Sequence, residues 1–200
     1  MPRLFLGQRL FDAAMAPLTL LRREALFASL LDTSGVRAGE HVIDAGSGTG
    51  WLTRRIAARV GERGSVLGVE PNKRSVEFSQ RRRDSSIERY VQGDIRALPA
   101  PTDAADRVIS SLVVHHVEPD EHAATFAELA RVLRGGGTLF VIEIARPTTR
   151  CARLAFGWHG CVRAALPEPR LRELSREAGF IDVATGTTAP WVRWLRATKP

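Results

Sequence analysis

The chain has 200 residues, a formal net charge of +7, 44% hydrophobic and 26% charged residues, and two cysteines. A chain of this size can bury a core without disulfide or metal crosslinks, and this composition excludes a disordered or disulfide-rich class of protein. Almost all of the positive charge lies on arginines, which are spread along the sequence. The one run, Arg81-Arg82-Arg83, lacks interleaved aromatic residues, which favours a solvated helix face over a nucleic-acid interface.

Apolar runs in the sequence are too short for a membrane span or for the core of a signal peptide. The two cysteines, Cys151 and Cys161, need no disulfide partner, which is typical of a reducing compartment. We therefore expect a cytoplasmic protein without nucleic-acid partners, although its basic charge is compatible with weak contact with a membrane surface. The oligomeric state is left open.

Hydrophobic periodicity predicts strands and helices that alternate along the chain, which is typical of a parallel sheet covered by helices on both faces. The predicted helices cover residues 18–31, 51–60, a segment after Pro71, 120–133 and 168–178. The predicted strands cover residues 40–45, 65–70, 88–92, 107–111, 138–144, 180–185 and 191–198.

A glycine-rich turn follows the first predicted strand, with the sequence Asp44-Ala45-Gly46-Ser47-Gly48-Thr49-Gly50. Backbone without Cβ atoms can approach a ligand closely, and the helix that follows offers free N–H groups at its N-terminus. The glycine spacing is G-x-G-x-G and not the G-x-G-x-x-G of dinucleotide enzymes. The turn therefore predicts a ligand site at the end of the first strand.

Acidic residues also end the next two predicted strands. Glu70 closes the second strand, where a carboxylate can accept hydrogen bonds from both ribose hydroxyls of a nucleoside, as it does in NAD enzymes. Gly93-Asp94-Ile95 follows the third strand, and an Asx turn is the structural alternative for this sequence. The fourth strand opens through Ser110 and Ser111 into a segment that contains His115 and His116.

In order and spacing, these four blocks resemble the class I S-adenosylmethionine (SAM)-dependent methyltransferases over about residues 38–144. The resemblance implies an α/β fold, Rossmann-like and doubly wound, with a mostly parallel seven-stranded sheet whose last strand is antiparallel. It also implies a single domain over residues 1–200. Within it we expect an N-terminal helical lid at 1–35, a SAM-binding core at 36–145, and an insert with the C-terminal strands at 146–200.

SAM is the cofactor that the resemblance implies, with the acid of the glycine turn near its ammonium group. In the family, the acid after the third strand accepts a hydrogen bond from the adenine amino group, and the next residue covers the ring. The cofactor-binding candidates are Asp44, Gly46, Ser47, Gly48, Gly50, Glu70, Pro71, Asn72, Asp94, Ile95, Ser110 and Ser111.

The acceptor side of the site is expected just past the fourth strand. His115 and His116 are the catalytic candidates, because histidine titrates near neutral pH and can serve as a base, and packing is the structural alternative for each. Glu143 is a further candidate, for catalysis or for orienting loops. The cysteines and His159 show no recognisable metal-ligand spacing, so no metal site is predicted.

The expected acceptor is a small, apolar or aromatic molecule that is methylated on carbon, oxygen or nitrogen. Apolar residues at 4–11 form a candidate lid, and the insert contributes Phe156, Trp158 and Leu166. Phe11-Asp12-Ala13-Ala14-Met15 resembles the corresponding segment of quinone-type C-methyltransferases.

Three other functions stay open at this point. An NAD(P)-dependent oxidoreductase is disfavoured by the G-x-G-x-G spacing and by Asp94. A methyltransferase-like binding protein without turnover would show the same motifs. Methylation of RNA or DNA is motivated by the charge of +7, but Ser110-Ser111-Leu112-Val113 replaces the tetrad of amino-methylating nucleic-acid enzymes.

Overall fold

The computed structural model describes residues 23–146 and 160–200. The chain divides into two compact units, residues 1–35 and residues 36–200. In the first unit the described segment contains helix α1 (Arg23–Ser34), which overlaps the predicted helix at 18–31. The predicted lid residues at 4–11, together with Phe156 and Trp158, lie outside the described residues. The single-domain organisation stays a prediction.

A mixed sheet forms the centre of the second unit. Within the described residues its strands are β1 (His41–Ala45), β2 (Ser65–Glu70), β3 (Glu88–Gln92), β4 (Ala105–Ser111), β5 (Leu133–Ile144), β6 (Ile181–Ala189) and β7 (Val192–Thr198). Their order across the sheet is β3-β2-β1-β4-β5-β7-β6. Strands β1 to β5 pair in parallel, whereas β7 runs antiparallel to both of its neighbours. This confirms the predicted seven-stranded sheet with an antiparallel last strand.

Helices flank the strands in alternation, as the sequence pattern predicts. They are α2 (Trp51–Val60), α3 (Lys73–Arg81), α4 (His122–Val132), α5 (Gly160–Ala164) and α6 (Glu168–Glu177). Helix α2 buries Leu52, Ile56 and Val60, which recur every four residues and form one apolar stripe. None of the helices in the described part of the chain has the length and apolar character that a membrane span requires.

The passage from α4 into β5 differs from the prediction. A strand was predicted only from residue 138, but the helix ends at Val132 and β5 begins at Leu133, so Gly135, Gly136 and Gly137 lie within the strand. The register between β4 and β5 shifts here, from Ala105 opposite Leu133 to Arg107 opposite Thr138. Glycine suits such a bulge because Gly136 has a φ of +75°. The backbone N–H of Gly136 donates to the Lys199 carbonyl at 2.9 Å, so the bulge pairs with the chain end beyond β7.

The core lies around the central strands. The β5 residues from Leu139 to Ile142 are at most 1% exposed, as expected for a strand covered on both faces. Leu166, which the sequence offered as part of the acceptor lid, is buried in the same apolar cluster. Leu166 is therefore part of the core, and a role for it in covering the acceptor stays a prediction.

The strand order places the ligand site. Strand β1 has β2 on one side and β4 on the other, so the chain order reverses between β1 and β4. In open α/β sheets, ligands bind in the crevice at the carboxyl ends of the strands where this reversal occurs. The glycine turn follows β1 and therefore lies at this point, and Glu70 and Ser111 end the two adjacent strands.

Candidate functional site

The glycine turn is fixed by backbone hydrogen bonds to β2. The N–H groups of Gly46 and Ser47 donate to the Val69 carbonyl at 2.8 and 3.0 Å. Gly46, Gly48 and Gly50 have φ values of +86°, +54° and +73°, in the region that favours glycine. The glycine at every second position therefore allows the turn to adopt this left-handed backbone conformation.

Close neighbours surround two of these glycines, whereas the third faces open space. A Cβ atom on Gly46 would lie 2.2 Å from Val113 Cγ2, and one on Gly50 would lie 2.8 Å from the Tyr90 ring. A Cβ atom on Gly48 would meet nothing within 4 Å. Gly46 and Gly50 are therefore needed for packing, and Gly48 borders the space that a ligand could fill.

Asp44 lies behind the turn with its side chain buried. Its Oδ2 accepts a hydrogen bond of 2.6 Å from the Thr53 hydroxyl of α2. Burial raises the pKa of Asp44 to about 7, the Thr53 hydrogen bond lowers it, and the nearby Glu70 carboxylate raises it further. A cation bound close to this carboxyl would favour its ionised form.

Glu70 joins the glycine turn to the start of α3. Its two carboxylate oxygens accept hydrogen bonds of 3.0 Å from the N–H groups of Gly48 and Asn72. Burial raises the pKa of Glu70, and these two N–H donors oppose the rise. Asn72 caps α3 by accepting hydrogen bonds from the N–H groups of Arg74 and Ser75, and the Pro71 carbonyl accepts one from Gln92. Glu70 is thus held in a fixed orientation beside the open space at Gly48.

Asp94 lies after β3, and its carboxylate is paired with Arg96. Nε and Nη2 of Arg96 donate to the two Asp94 oxygens at 2.8 and 2.7 Å, and Nη1 donates to Glu121 at 2.6 Å. Arg96 holds the pKa of Asp94 below its ordinary value, so the carboxylate is ionised at neutral pH. The Ile95 side chain is buried in the apolar core. No role for Arg96 was predicted from the sequence, although it lies only two residues from Asp94.

Two serines at this edge of the sheet carry buried hydroxyls. Within the described part of the chain, the Oγ atoms of Ser47 and Ser110 have no hydrogen-bond partner. Leaving a buried hydroxyl unpaired costs about 1–3 kcal/mol, so such groups are expected where a polar ligand or water completes the site. Ser111 is half-buried, and the next residue, Leu112, has a φ of +59°, which is uncommon for a leucine and typical of functional turns.

His115 and His116 lie in a 3-10 turn (Val114–His116) just past β4. His115 is buried, and its Nδ1 lies 2.7 Å from Glu143 Oε2 of β5. The other oxygen of Glu143 accepts a 2.8 Å hydrogen bond from the Val114 N–H. The two imidazole rings have centroids 4.1 Å apart, and the His116 side chain is exposed. Glu143 therefore orients both the turn and the His115 ring.

Cys161 of α5 also reaches this turn. One nitrogen of each histidine and the Cys161 Sγ lie within 4.8 Å of one another. Burial raises the pKa of the Cys161 thiol, which is therefore neutral in the absence of a cation. The sequence predicted no metal site because no ligand spacing is visible locally. The fold brings Cys161 to the histidines from 45 residues further along the chain.

Comparison with known proteins places these features in a family. The family described as "Methyltransferase domain" matches residues 43–141. Over 121 residues, the chain is 36% identical to the ubiquinone/menaquinone biosynthesis C-methyltransferase UbiE of Vibrio vulnificus, covering 58% of this chain and 46% of that protein. The UbiE protein of Yersinia enterocolitica is also 36% identical over 121 residues, with 47% of its length covered. The chain thus spans about half the length of the curated relatives it matches.

Solved structures share the fold. A SAM-dependent methyltransferase from Aquifex aeolicus superposes with a TM-score of 0.74 at 17% identity, over 87% of this chain and 89% of that one. Phosphoethanolamine N-methyltransferase 2 of Haemonchus contortus, in complex with SAM, superposes with a TM-score of 0.72 at 15% identity, over 87% and 52% of the two chains. The methyltransferase-domain match over residues 43–141 and the UbiE relatives show a class I SAM-dependent methyltransferase domain in this part of the chain, and the sheet order and the glycine turn after β1 agree with it.

Proposed function

We propose that the chain binds SAM at the carboxyl ends of β1, β2 and β4 and transfers its methyl group to a small acceptor. The observation that carries this proposal is the position of Glu70. Its carboxylate is held by the Gly48 and Asn72 N–H groups beside open space, where it can also accept hydrogen bonds from ribose hydroxyls. The unpartnered Ser47 and Ser110 hydroxyls at the same edge of the sheet fit a polar ligand.

Each part of SAM has a matching group in this proposal. The Asp44 carboxylate attracts the SAM ammonium group from behind the turn, and Glu70 accepts hydrogen bonds from the ribose hydroxyls. Asp94 accepts from the adenine amino group, since a carboxylate oxygen can accept a second hydrogen bond beside the one from Arg96. Ile95 supports the ring from the core, and Ser110 and Ser111 border the methionine portion.

When bound, SAM supplies a methyl group on a sulfonium, which is a good leaving group. The residues of this chain then contribute mainly by holding two reactants in line and by excluding water, and such positioning can contribute several kcal/mol, up to about 10. A base is needed only where the acceptor must lose a proton. His115 and His116 remain our candidates for the acceptor side of the site, because they follow β4 directly and Glu143 orients the His115 ring.

We also propose the chemical class of the methyl acceptor. The UbiE relatives are by name C-methyltransferases of ubiquinone and menaquinone biosynthesis, which supports a small apolar or aromatic acceptor here. A screen of quinol, phenol and amine acceptors that measures S-adenosylhomocysteine release tests this directly. We expect release with a subset of aromatic acceptors. Release with none of them, in a protein that binds SAM, would favour a binding protein without turnover.

Asp44 gives the site a measurable pH dependence. The folded protein keeps the Asp44 proton up to about pH 7, whereas the unfolded chain releases it near the ordinary pKa of 3.8. The folded state therefore binds more protons between these values, and its stability falls as the pH rises through this range. Asp44→Asn removes the titration and keeps an acceptor for Thr53. Between pH 5 and pH 8, we expect the wild type to lose on the order of 3 kcal/mol more stability than the variant.

Urea unfolding of both proteins at pH 5 and pH 8 measures this difference. All other titrating groups are common to the two proteins, so the comparison isolates Asp44. A stability difference that is the same at both pH values would show that Asp44 is ionised throughout. Asp44→Asn is also expected to bind SAM more weakly, because it lacks the carboxylate that we place near the SAM ammonium group.

A further inference from the structure

Three metal-ligating side chains converge beside the proposed SAM site. His115 and His116 come from the 3-10 turn after β4, and Cys161 comes from α5, a separate segment of the chain. One nitrogen of each ring and the thiol sulfur lie within 4.8 Å of one another. Methyl transfer needs no such grouping, and the proposed function leaves Cys161 without a role.

Glu143 prepares His115 as a ligand. Its carboxylate is 1% exposed and uses both oxygens, one for the His115 Nδ1 at 2.7 Å and one for the Val114 N–H at 2.8 Å. With the proton on Nδ1, the lone pair of Nε2 is free to bind a metal. A carboxylate that holds a histidine in this way is the usual second partner of a metal-ligating imidazole, which it orients and makes more basic.

We propose that His115, His116 and Cys161 bind a borderline-soft divalent transition-metal ion, with zinc as the principal candidate. Two imidazoles and a thiolate favour this class over magnesium or calcium, which prefer oxygen ligands. Binding forms two metal–nitrogen bonds and one metal–sulfur bond, and the thiol proton of Cys161 is released to solvent. Three protein ligands leave a fourth position for water or a substrate atom, as in catalytic zinc sites.

The required movement is small. In a tetrahedral zinc site with bonds of about 2.0–2.3 Å, the donor atoms lie roughly 3.3–3.8 Å apart. The three donors here lie within 4.8 Å before any metal is bound. The His116 side chain is exposed and can rotate, while His115 is buried and fixed by Glu143. The donors therefore need to approach by at most about 1–1.5 Å, and we expect rotation at His116 and Cys161 to supply this movement.

The site adjoins the glycine turn. Val113 precedes the 3-10 turn, and its side chain is what a Cβ atom added to Gly46 would meet first. A metal ion on His115 would thus be held by the segment that follows this contact with the glycine turn. Its open position suits an acceptor oxygen, nitrogen or sulfur, whose pKa a cation lowers. This use of the metal rests on the proposed function, whereas metal binding itself does not.

Cobalt titration of the full chain tests the proposal, because Co²⁺ bound to a thiolate gives a charge-transfer absorption in the near ultraviolet. We expect metal-stripped wild type to bind one Co²⁺ with this absorption and to lose it when one equivalent of Zn²⁺ displaces the cobalt. Cys161→Ser should abolish the absorption, and Cys151→Ser, the matched control at the other cysteine, should retain it. Glu143→Gln should weaken zinc binding about 10- to 100-fold in competition with a chromogenic chelator.

Absence of one-to-one cobalt binding in the wild type would overturn the proposal without recourse to any variant. Absorption that survives Cys161→Ser but disappears in Cys151→Ser would overturn the assignment of ligands. Circular dichroism of each variant shows whether it is folded. Calorimetry with SAM on the metal-free wild type distinguishes the two proposals, since intact SAM binding without metal binding contradicts only the metal site.

Discussion

Replacing Glu70 by glutamine is expected to weaken SAM binding about 100-fold. The carboxylate accepts hydrogen bonds from the Gly48 and Asn72 N–H groups at 3.0 Å, and we propose that it also accepts from the ribose hydroxyls. Glutamine has one accepting oxygen, so the variant loses a charged acceptor for the ribose and leaves one turn N–H without its partner. A hydrogen bond to a charged group contributes about 1.5–3 kcal/mol, and a loss of about 2.8 kcal/mol corresponds to a factor of roughly 100.

Glu40→Gln is the matched control for this experiment. Glu40 is also a largely buried acid that makes charge-assisted hydrogen bonds, accepting from Nε and Nη2 of Arg107 at 2.9 Å each. It lies before β1, at the opposite end of the strands from the glycine turn. Calorimetry should show wild-type SAM affinity for Glu40→Gln and weakened affinity for Glu70→Gln. Equal affinities in the two variants would contradict the assignment of Glu70 to the ribose.

Gly46→Ala is expected to destabilise the protein by about 3 kcal/mol or more. The new methyl group would lie 2.2 Å from Val113 Cγ2, on a residue whose φ is +86°. Overpacking a buried contact costs about 1–3 kcal/mol, and the left-handed backbone adds about 1–2 kcal/mol for alanine. Val113→Ala in the same chain removes the two closest atoms and should restore part of the loss. Urea unfolding of the single and double variants measures both effects.

Gly48→Ala separates stability from binding. Its φ is +54°, but its new methyl group would meet nothing within 4 Å. We expect only the backbone cost of about 1–2 kcal/mol, together with at least a tenfold loss of SAM affinity, because the methyl group stands in the space proposed for the ligand. Unchanged affinity in a folded Gly48→Ala protein would place SAM elsewhere. A stability loss equal to that of Gly46→Ala would contradict the geometry of the turn.

Strands could be predicted from the sequence where glycine or proline residues flank a short apolar run. Strand β2 lies between Gly64 and Pro71, and Gly93 follows the last residue of β3, so both strands were predicted with the bounds that the structure shows. The start of β5 was missed because three consecutive glycines resemble a helix stop. Their pairing with Lys199 depends on where β7 lies in the sheet, which local sequence does not encode.

The site was predictable where it follows strand ends and unpredictable where it depends on tertiary contacts. The sequence locates Asp44 and Glu70 because an acid after a strand is visible in the chain. It does not show that Glu70 connects two backbone turns, or that Arg96 pairs with Asp94. The grouping of Cys161 with the histidines needs α5 to approach the turn after β4, and no spacing along the chain indicates this.

Calorimetric titration of the full chain with SAM, S-adenosylhomocysteine and NAD measures whether this chain binds SAM. We expect one site per chain for SAM and for S-adenosylhomocysteine, because both carry the amino-acid portion that we place at the glycine turn. We expect no heat of binding with NAD, which shares with them the adenosine but lacks this amino-acid portion. Binding of NAD without binding of SAM would contradict the account.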